Sequence, residues 1–343
     1  MDAPYGHPGT SSMNVNSSNT PWLSILIPVY NVQDYLKECL HSVLAQVDEG
    51  VEIITLNDVS TDQSLDVLNE IQRASAHPIT IMQHTKNQGL SASRNSMLDV
   101  AQGEYIWFLD SDDMICDHAI AKLKHTINTH KPDLVLCDFY MLRSEIKLKH
   151  KQRGEMHRKS FGGPAHQLCS DGDALFHYLY KTAQLHIWSK IAKRTLWGAD
   201  LRFPVGQLME DQTVTPRLFL RAQTYYYYNE VWVAYRQRPG SILSTPSIQR
   251  LKDSSISAEN VLQEWLDKYP NLSEKSKFTF AYSRAKMLIG NSRELRKQNK
   301  TEELAWHQQQ FFKTTQSTKG WIIKNYIKRG WFYRLARLIN HLN

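Results

Sequence analysis

The stretch YIWFLDSDD (105–113) joins five bulky apolar residues to three carboxylates packed into four positions. Tyr105 to Leu109 has the length and composition of a strand buried on both faces, and it stops at once on Asp110, Ser111, Asp112 and Asp113. Like charges this close repel and raise one another's pKa, so positive charge is expected beside them. A hard divalent cation, Mg2+ or Mn2+, held by Asp110 and Asp112 and shared with a diphosphate, would supply it. An acidic turn with Asp113 as a helix N-cap is the purely structural account of the same residues.

Working outward, the strand has companions on both sides. SILIPV (24–29), VEIITL (51–56) and ITIM (79–82) precede it, and DLVLCDF (133–139) follows. Between them, residues 34–46, 62–72, 90–101 and 118–130 carry helical spacing of apolar residues, the last with Asp117 as its expected N-cap. Continuous apolar strands alternating with helices predict an α/β fold: a mostly parallel sheet with helices on both faces. Beyond it, 145–170 reads as a connector, 171–200 as helical, 224–236 as a strand, and 250 onward as helical and basic. Residues 1–20, rich in Gly, Pro, Ser and Asn, read as disordered.

In such sheets ligands bind beyond the carboxyl ends of the strands. Four polar clusters fall there: Pro28 to Asn31, Asn57-Asp58, Asn87 to Arg94, and Asp110 to Asp113. Asp58 suits either a nucleoside's hydrogen bonds or an Asx-turn. Glu210-Asp211, in LMEDQTVTPRLF (208–219), suits a helix N-terminus and becomes catalytic only if the fold sets it opposite the first acidic cluster.

Charge is unevenly spread. The chain of 343 residues has a formal net charge of +7, yet residues 250–343 hold 18 Lys/Arg against 8 Asp/Glu, leaving the remainder slightly acidic. Residues 311–343 contain seven Lys/Arg and no acid, interleaved with Trp, Tyr and aliphatic residues. That composition suits a helix lying on an anionic bilayer, or one packed on the body with a solvated basic face. No nucleic-acid-binding module appears, so nucleic acid is not an expected partner. Cys39, Cys116, Cys137 and Cys169 have no metal or CxxC spacing, which fits a reducing cytoplasm. There is no basic-then-apolar leader and no run of the roughly 18–20 apolar residues a span requires. The expectation is a cytoplasmic protein peripheral to the inner face of the cytoplasmic membrane.

Taken together and in order, LSILIPVYNVQDYLKECLHSVLAQ, NDVSTDQS, NQGLSASRN, GEYIWFLDSDD and MEDQTV resemble the family 2 glycosyltransferases. The likeness is strongest from Trp22 to Asp138 and extends more weakly from Ile187 to YRQRPGSI (235–242). It implies a GT-A fold over 21–245, with a nucleotide-binding half (21–140) and an acceptor-side half (141–245), followed by a helical region (246–343). It implies an inverting, metal-dependent transfer from a nucleotide-diphospho sugar to a glycan or lipid-linked acceptor. Pro28, Tyr30 and Asp58 would hold base and ribose, with Arg94 near that pocket and Ser111 inside the motif contacting the donor. Asp110 and Asp112 would be the DXD pair, Asp112 the principal metal ligand. Asp211 would be the general base with Glu210 beside it. Trp188 and Lys190 would line the acceptor side, and Arg236 and Arg238 would lie in a loop over the diphosphate. Where the family pattern often has two acids and a glycine, this chain has Asn57-Asp58-Val59, and Val59 disfavours positive φ, so a local difference in that turn is expected. A sugar-1-phosphate nucleotidyltransferase would carry a Gly-rich phosphate loop where Pro28-Val29-Tyr30-Asn31 stands. A non-catalytic nucleotide-sugar-binding protein would have no need of Asp110, Asp112 and Asp211 together.

Overall fold

Strand β1 (Leu23–Val29) is buried at every position, the burial its unbroken apolar sequence demands. The computed structural model describes residues 20–238 and 247–342. The expected disorder of 1–19 and the end of YRQRPGSI therefore lie outside the described residues. After β1 come α1 (Gln33–Leu44), β2 (Val51–Asn57), α2 (Ser64–Ala74), β3 (Ile79–Gln83), α3 (Leu90–Val100) and β4 (Tyr105–Phe108). Next are β5 (Met114–Ile115), α4 (Ala119–His130), β6 (Leu134–Leu142), α5 (Leu148–Gln152), β7 (Leu168–Cys169) and α6 (Gly172–Thr182). Then follow β8 (Lys190–Lys193), α7 (Asp211–Arg221) and β9 (Tyr225–Arg236).

The strands form one nine-stranded sheet in the order β3-β2-β1-β4-β8-β6-β9-β5, with β7 beside β9. The run β3-β2-β1-β4 is parallel. Strand β8 lies antiparallel between β4 and β6, and β6 and β9 are parallel again. Alternate side chains of each central strand enter opposite cores. Ile25, Trp107 and Val135 face α1 and α4, whereas Leu26, Phe108 and Leu134 face α3, α6 and α7. Every parallel strand thus delivers its carboxyl end to the same edge.

Three local expectations are corrected. Residues 171–200 are not helical throughout: α6 ends at Thr182, and β8 follows. Four residues are too few to display a strand period, and pairing with β4 and β6 makes the strand. Asp117 does not cap α4; the cap position is His118, left-handed at φ 65°, and no side chain fills it. Val59 does adopt positive φ (59°), so the turn after β2 is left-handed despite a β-branched side chain.

The rest is helical: α8 (Ile248–Ile256), α9 (Val261–Lys268), α10 (Glu274–Lys297), α11 (Leu304–Thr315), α12 (Lys319–Lys328) and α13 (Phe332–Ile339). Ser247, Ser273 and Thr318 cap α8, α10 and α12, each accepting from the backbone N–H three residues on. Val261, Leu262, Trp265 and Phe280 join the core of α6 and α7. A separate core unites α10 to α13 through Phe278, Phe311, Ile322, Tyr326, Leu335 and Leu338.

Candidate active site

The first two βα loops are laced into one ledge. Asn31 Oδ1 accepts from Thr61 N at 2.7 Å, and Val32 N donates to Ser64 Oγ at 2.8 Å. Pro28 is buried beneath the ledge, and Tyr30 stands on it, 46% exposed. Asp58 is 3% exposed, and its carboxylate reaches thirty residues along the chain rather than closing an Asx-turn. It accepts from Gln88 N (2.9 Å) and Gly89 N (2.7 Å) and meets His84 Nδ1 at 2.6 Å. Asn87 Nδ2 bonds the Asp58 carbonyl at 3.0 Å. Asp58 therefore sets the loop that launches α3, with its charge at the positive end of that helix. Gly89 turns the chain there at φ 84°, which an L side chain would strain.

One turn into α3, Arg94 is 1% exposed and gathers three carboxylates. Nη2 donates to Asp110 Oδ1 at 2.8 Å, and Nη1 to Glu210 Oε1 at 2.6 Å and Asp211 Oδ1 at 3.0 Å. Its guanidinium lies 5.2 Å from the centroid of Phe203, against an apolar wall. The two acidic clusters, 101 positions apart between Asp110 and Asp211 in the sequence, thus share one guanidinium. Burial pushes the Asp211 carboxyl up to about 7, helped by the charges of Glu210 and Asp110 and opposed by Arg94. Its Oδ2 accepts from Ile187 N at 3.1 Å, so both oxygens are oriented.

The remaining acids of the opening stretch meet the end of β9. Asp113 is fully buried and is not a helix cap: Oδ1 accepts from Arg236 N at 2.8 Å, while Oδ2 has no hydrogen-bond partner among the described residues. Burial, then Asp112 and Asp110, push its pKa well up. Asp112 Oδ2 accepts from Arg238 Nε at 2.6 Å, and the Asp112 carbonyl from Arg236 Nε at 2.8 Å. Arg236 also pairs with Glu38, and both arginines lie over Tyr35, at 5.1 and 5.4 Å. Ser111 is buried within the turn.

Trp188 and Lys190 are packed inside. Trp188 is 3% exposed, stacked on His186 at 3.7 Å and on Tyr235 at 5.2 Å. Lys190 is buried against Ser189 Oγ at 2.5 Å; burial pushes its pKa down to about 7, while Cys137, Asp211 and Asp138 act the other way. This segment touches Asp211 through the Ile187 backbone. Sequence reasoning missed Arg94 as a bridge, although NQGLSASRN contained it, and it missed the His84 to Gly89 loop as the partner of Asp58.

Asp110 and Asp112 form a donor set of the right kind for a divalent cation. Both are part-exposed hard oxygen ligands on one turn, side chains 28% and 20% exposed, beside a buried Asp113 with an unpaired oxygen. No group of three or more His, Cys, Asp or Glu side chains is placed to hold a metal ion among the described residues, so phosphate or water oxygens would complete the shell.

This ledge, bridge and acid turn coincide with a family match. Residues 24–183 fit the model for glycosyl transferase family 2, so this part of the chain is a domain of that family. Glycosyltransferase GlyA of Streptococcus pneumoniae serotype 4 is 31% identical over 226 residues, 64% of this chain but 31% of GlyA, so the chain spans less than a third of that relative. In fold, S. aureus TarS 1–349 in complex with UDP superposes with a TM-score of 0.68 at 20% identity, over 93% of this chain and 88% of that one. The mannosyltransferase PcManGT of Pyrobaculum calidifontis, in complex with GDP-Man and Mn2+, gives 0.50 at 14% identity, over 97% and 89%. These likenesses establish the GT-A fold.

Proposed function

We propose that this protein is an inverting glycosyltransferase that moves a sugar from a nucleoside-diphosphate carrier, a UDP-sugar, to a hydroxyl of a glycan or lipid-linked acceptor in surface polysaccharide or glycolipid synthesis. The observation that carries this reading is the Arg94 bridge: Asp110 at 2.8 Å and Asp211 at 3.0 Å lie on opposite arms of one guanidinium. A single displacement needs a leaving-group side and a base side that close together. The family 2 match over 24–183 supports it, as do fold likenesses that carry UDP or GDP-Man.

On this reading the nucleotide lies on the ledge of Pro28, Tyr30 and the Asp58-set loop, with Ser111 in the turn beneath the diphosphate. Asp110 and Asp112 would hold a divalent cation, which when bound neutralises charge on the departing diphosphate. Arg236 and Arg238 bring two further positive charges to the same place. Asp211 takes the proton from the acceptor hydroxyl as its oxygen attacks the anomeric carbon. Arg94 and Ile187 N hold each carboxylate oxygen by one lone pair and leave the other available. Glu210 shares Arg94 and, by its charge, makes Asp211 the stronger base. Residues 21–245 carry this chemistry, and 246–343 form an accessory helical region at a cytoplasmic membrane face that presents the acceptor.

The test is Asp211→Asn. Transfer from UDP-sugars with Mn2+ or Mg2+ should fall by about 10²–10⁴, with UDP binding by calorimetry retained. Near-normal turnover would remove Asp211 as the base.

A further inference from the structure

Within the basic stretch 311–342 most of the apolar side chains are already packed onto α10 and its neighbours. Ile322, Tyr326, Leu335 and Leu338 are buried against α10, where they stabilise the fold. What remains is the corner where α12 turns into α13. There Ile327 is 49% exposed, Phe332 63% and Tyr333 82%. The corner is rigid: Gly330 turns the chain at φ 66°, and Gly330 N and Trp331 N close it onto the Ile327 and Tyr326 carbonyls at 2.9 and 3.0 Å. Trp331 packs on Tyr282 at 4.9 Å, and Arg334 lies over the Trp331 ring at 4.4 Å.

The polar surroundings are of one sign. Lys324, Lys328, Arg334 and Arg337 are exposed around these three side chains, and the stretch has no acid. Glu274, an acid that α12 touches, is engaged by Trp321 Nε1 and Lys277. Arg293 and Arg296 of α10 extend the same field: after burial, these two and Arg337 are what hold the His341 imidazole below its ordinary value.

We propose that the α12–α13 corner is a docking surface for an anionic phospholipid bilayer, with Phe332, Tyr333 and Ile327 entering the interface inside a rim of Lys324, Lys328, Arg334 and Arg337. Exposed aromatic residues ringed by basic ones match a surface that is apolar just beneath anionic headgroups. A protein partner of matching acidity would leave the aromatic tip needing a pocket, whereas a bilayer accepts it directly. The surface stands independently of the transferase chemistry.

Vesicle co-sedimentation of the full chain tests it. The wild type should sediment with mixed phosphatidylglycerol–phosphatidylcholine vesicles, far less with phosphatidylcholine alone, and less again as salt rises. Phe332→Ser with Tyr333→Ser should weaken partitioning about tenfold, and Lys328→Gln with Arg337→Gln by a comparable roughly tenfold factor. These side chains are exposed, so both variants should keep the wild-type melting temperature and its turnover with a soluble acceptor. Equal partitioning of wild type and variants, or equal partitioning onto neutral vesicles, overturns the proposal. So does concentration-dependent self-association that the same substitutions abolish without any vesicle binding, since the corner would then contact a second copy.

Discussion

Arg94 decides the electrostatics of the site. It is one buried positive charge facing Asp110, Glu210 and Asp211; burial, with the charges of Glu210 and Asp110, keeps Asp211 basic against the opposing pull of Arg94. Removing it leaves three half-buried carboxylates facing one another without their shared cation, which costs more than the pairs contribute net. Arg94→Met is therefore expected to lose about 3–5 kcal/mol of folding stability in urea at neutral pH. A loss under about 1 kcal/mol would mean the three carboxylates do not depend on it. The same residue scale sets a pH profile. Asp211 is raised to about 7 and works only when deprotonated, so its active form is lost as pH falls through that value. kcat/KM should drop about tenfold per pH unit below it and level off above. A profile flat from about pH 5.5 to 8.5 would show that no base of this kind limits the reaction.

Elements meet at close quarters where β1 and β4 approach. Gly103 N donates to Ser24 Oγ at 2.8 Å, and a Cβ on Gly103 would collide with the Ser24 backbone nitrogen and the Leu23 carbonyl carbon. Backbone cannot yield as a flexible side chain can. Gly103→Ala should thus cost about 2–3 kcal/mol and shift the thermal midpoint downward; an unchanged midpoint would mean the two strands separate freely at that end. The consequence reaches the site, because β4 carries Asp110 and β1 carries Tyr30 to their common edge. Helix α3 depends likewise on Asp58: the carboxylate that sets its first turn aims Arg94 at the acids.

Across the whole molecule, the long helix α10 binds the helical region to the sheet domain. His177 of α6 faces Thr279 of α10, its Nδ1 2.9 Å from Thr279 Oγ1. Burial, then Lys275 and Lys181, push His177 down to about 4, with Asp173 acting the other way. The folded state prefers neutral His177, whereas in the unfolded chain the imidazole titrates near its ordinary value of about 6.5. Its contribution is thus complete above the unfolded value and is lost as pH falls toward the folded one. Relative to His177→Gln, the wild type should lose about 2–3 kcal/mol between pH 7 and pH 4.5. Urea titrations of both proteins at the two pH values measure this; a pH-independent difference would show that the seam does not sense the proton.

What the sequence determined by itself is the local grammar. Unbroken apolar runs such as SILIPV and YIWFL specify strands buried on both faces, and the intervening periodic segments specify their helices. Parallel strands then oblige the polar clusters to share one edge, so the ledge and the acid turn were legible before any coordinates. Even there propensity could be overruled: Val59 sits at φ 59° because the loops around it are laced together. The tertiary structure alone decided three things. It made a strand of Lys190–Lys193 by pairing it on both sides, and it turned most of the basic tail's apolar side chains inward onto α10. Above all, it brought Arg94 within reach of Glu210 and Asp211, more than a hundred residues away. Hydrophobic period is a property of neighbours in the chain, but a hydrogen bond between distant side chains depends on strand order and helix placement, which only the folded packing sets.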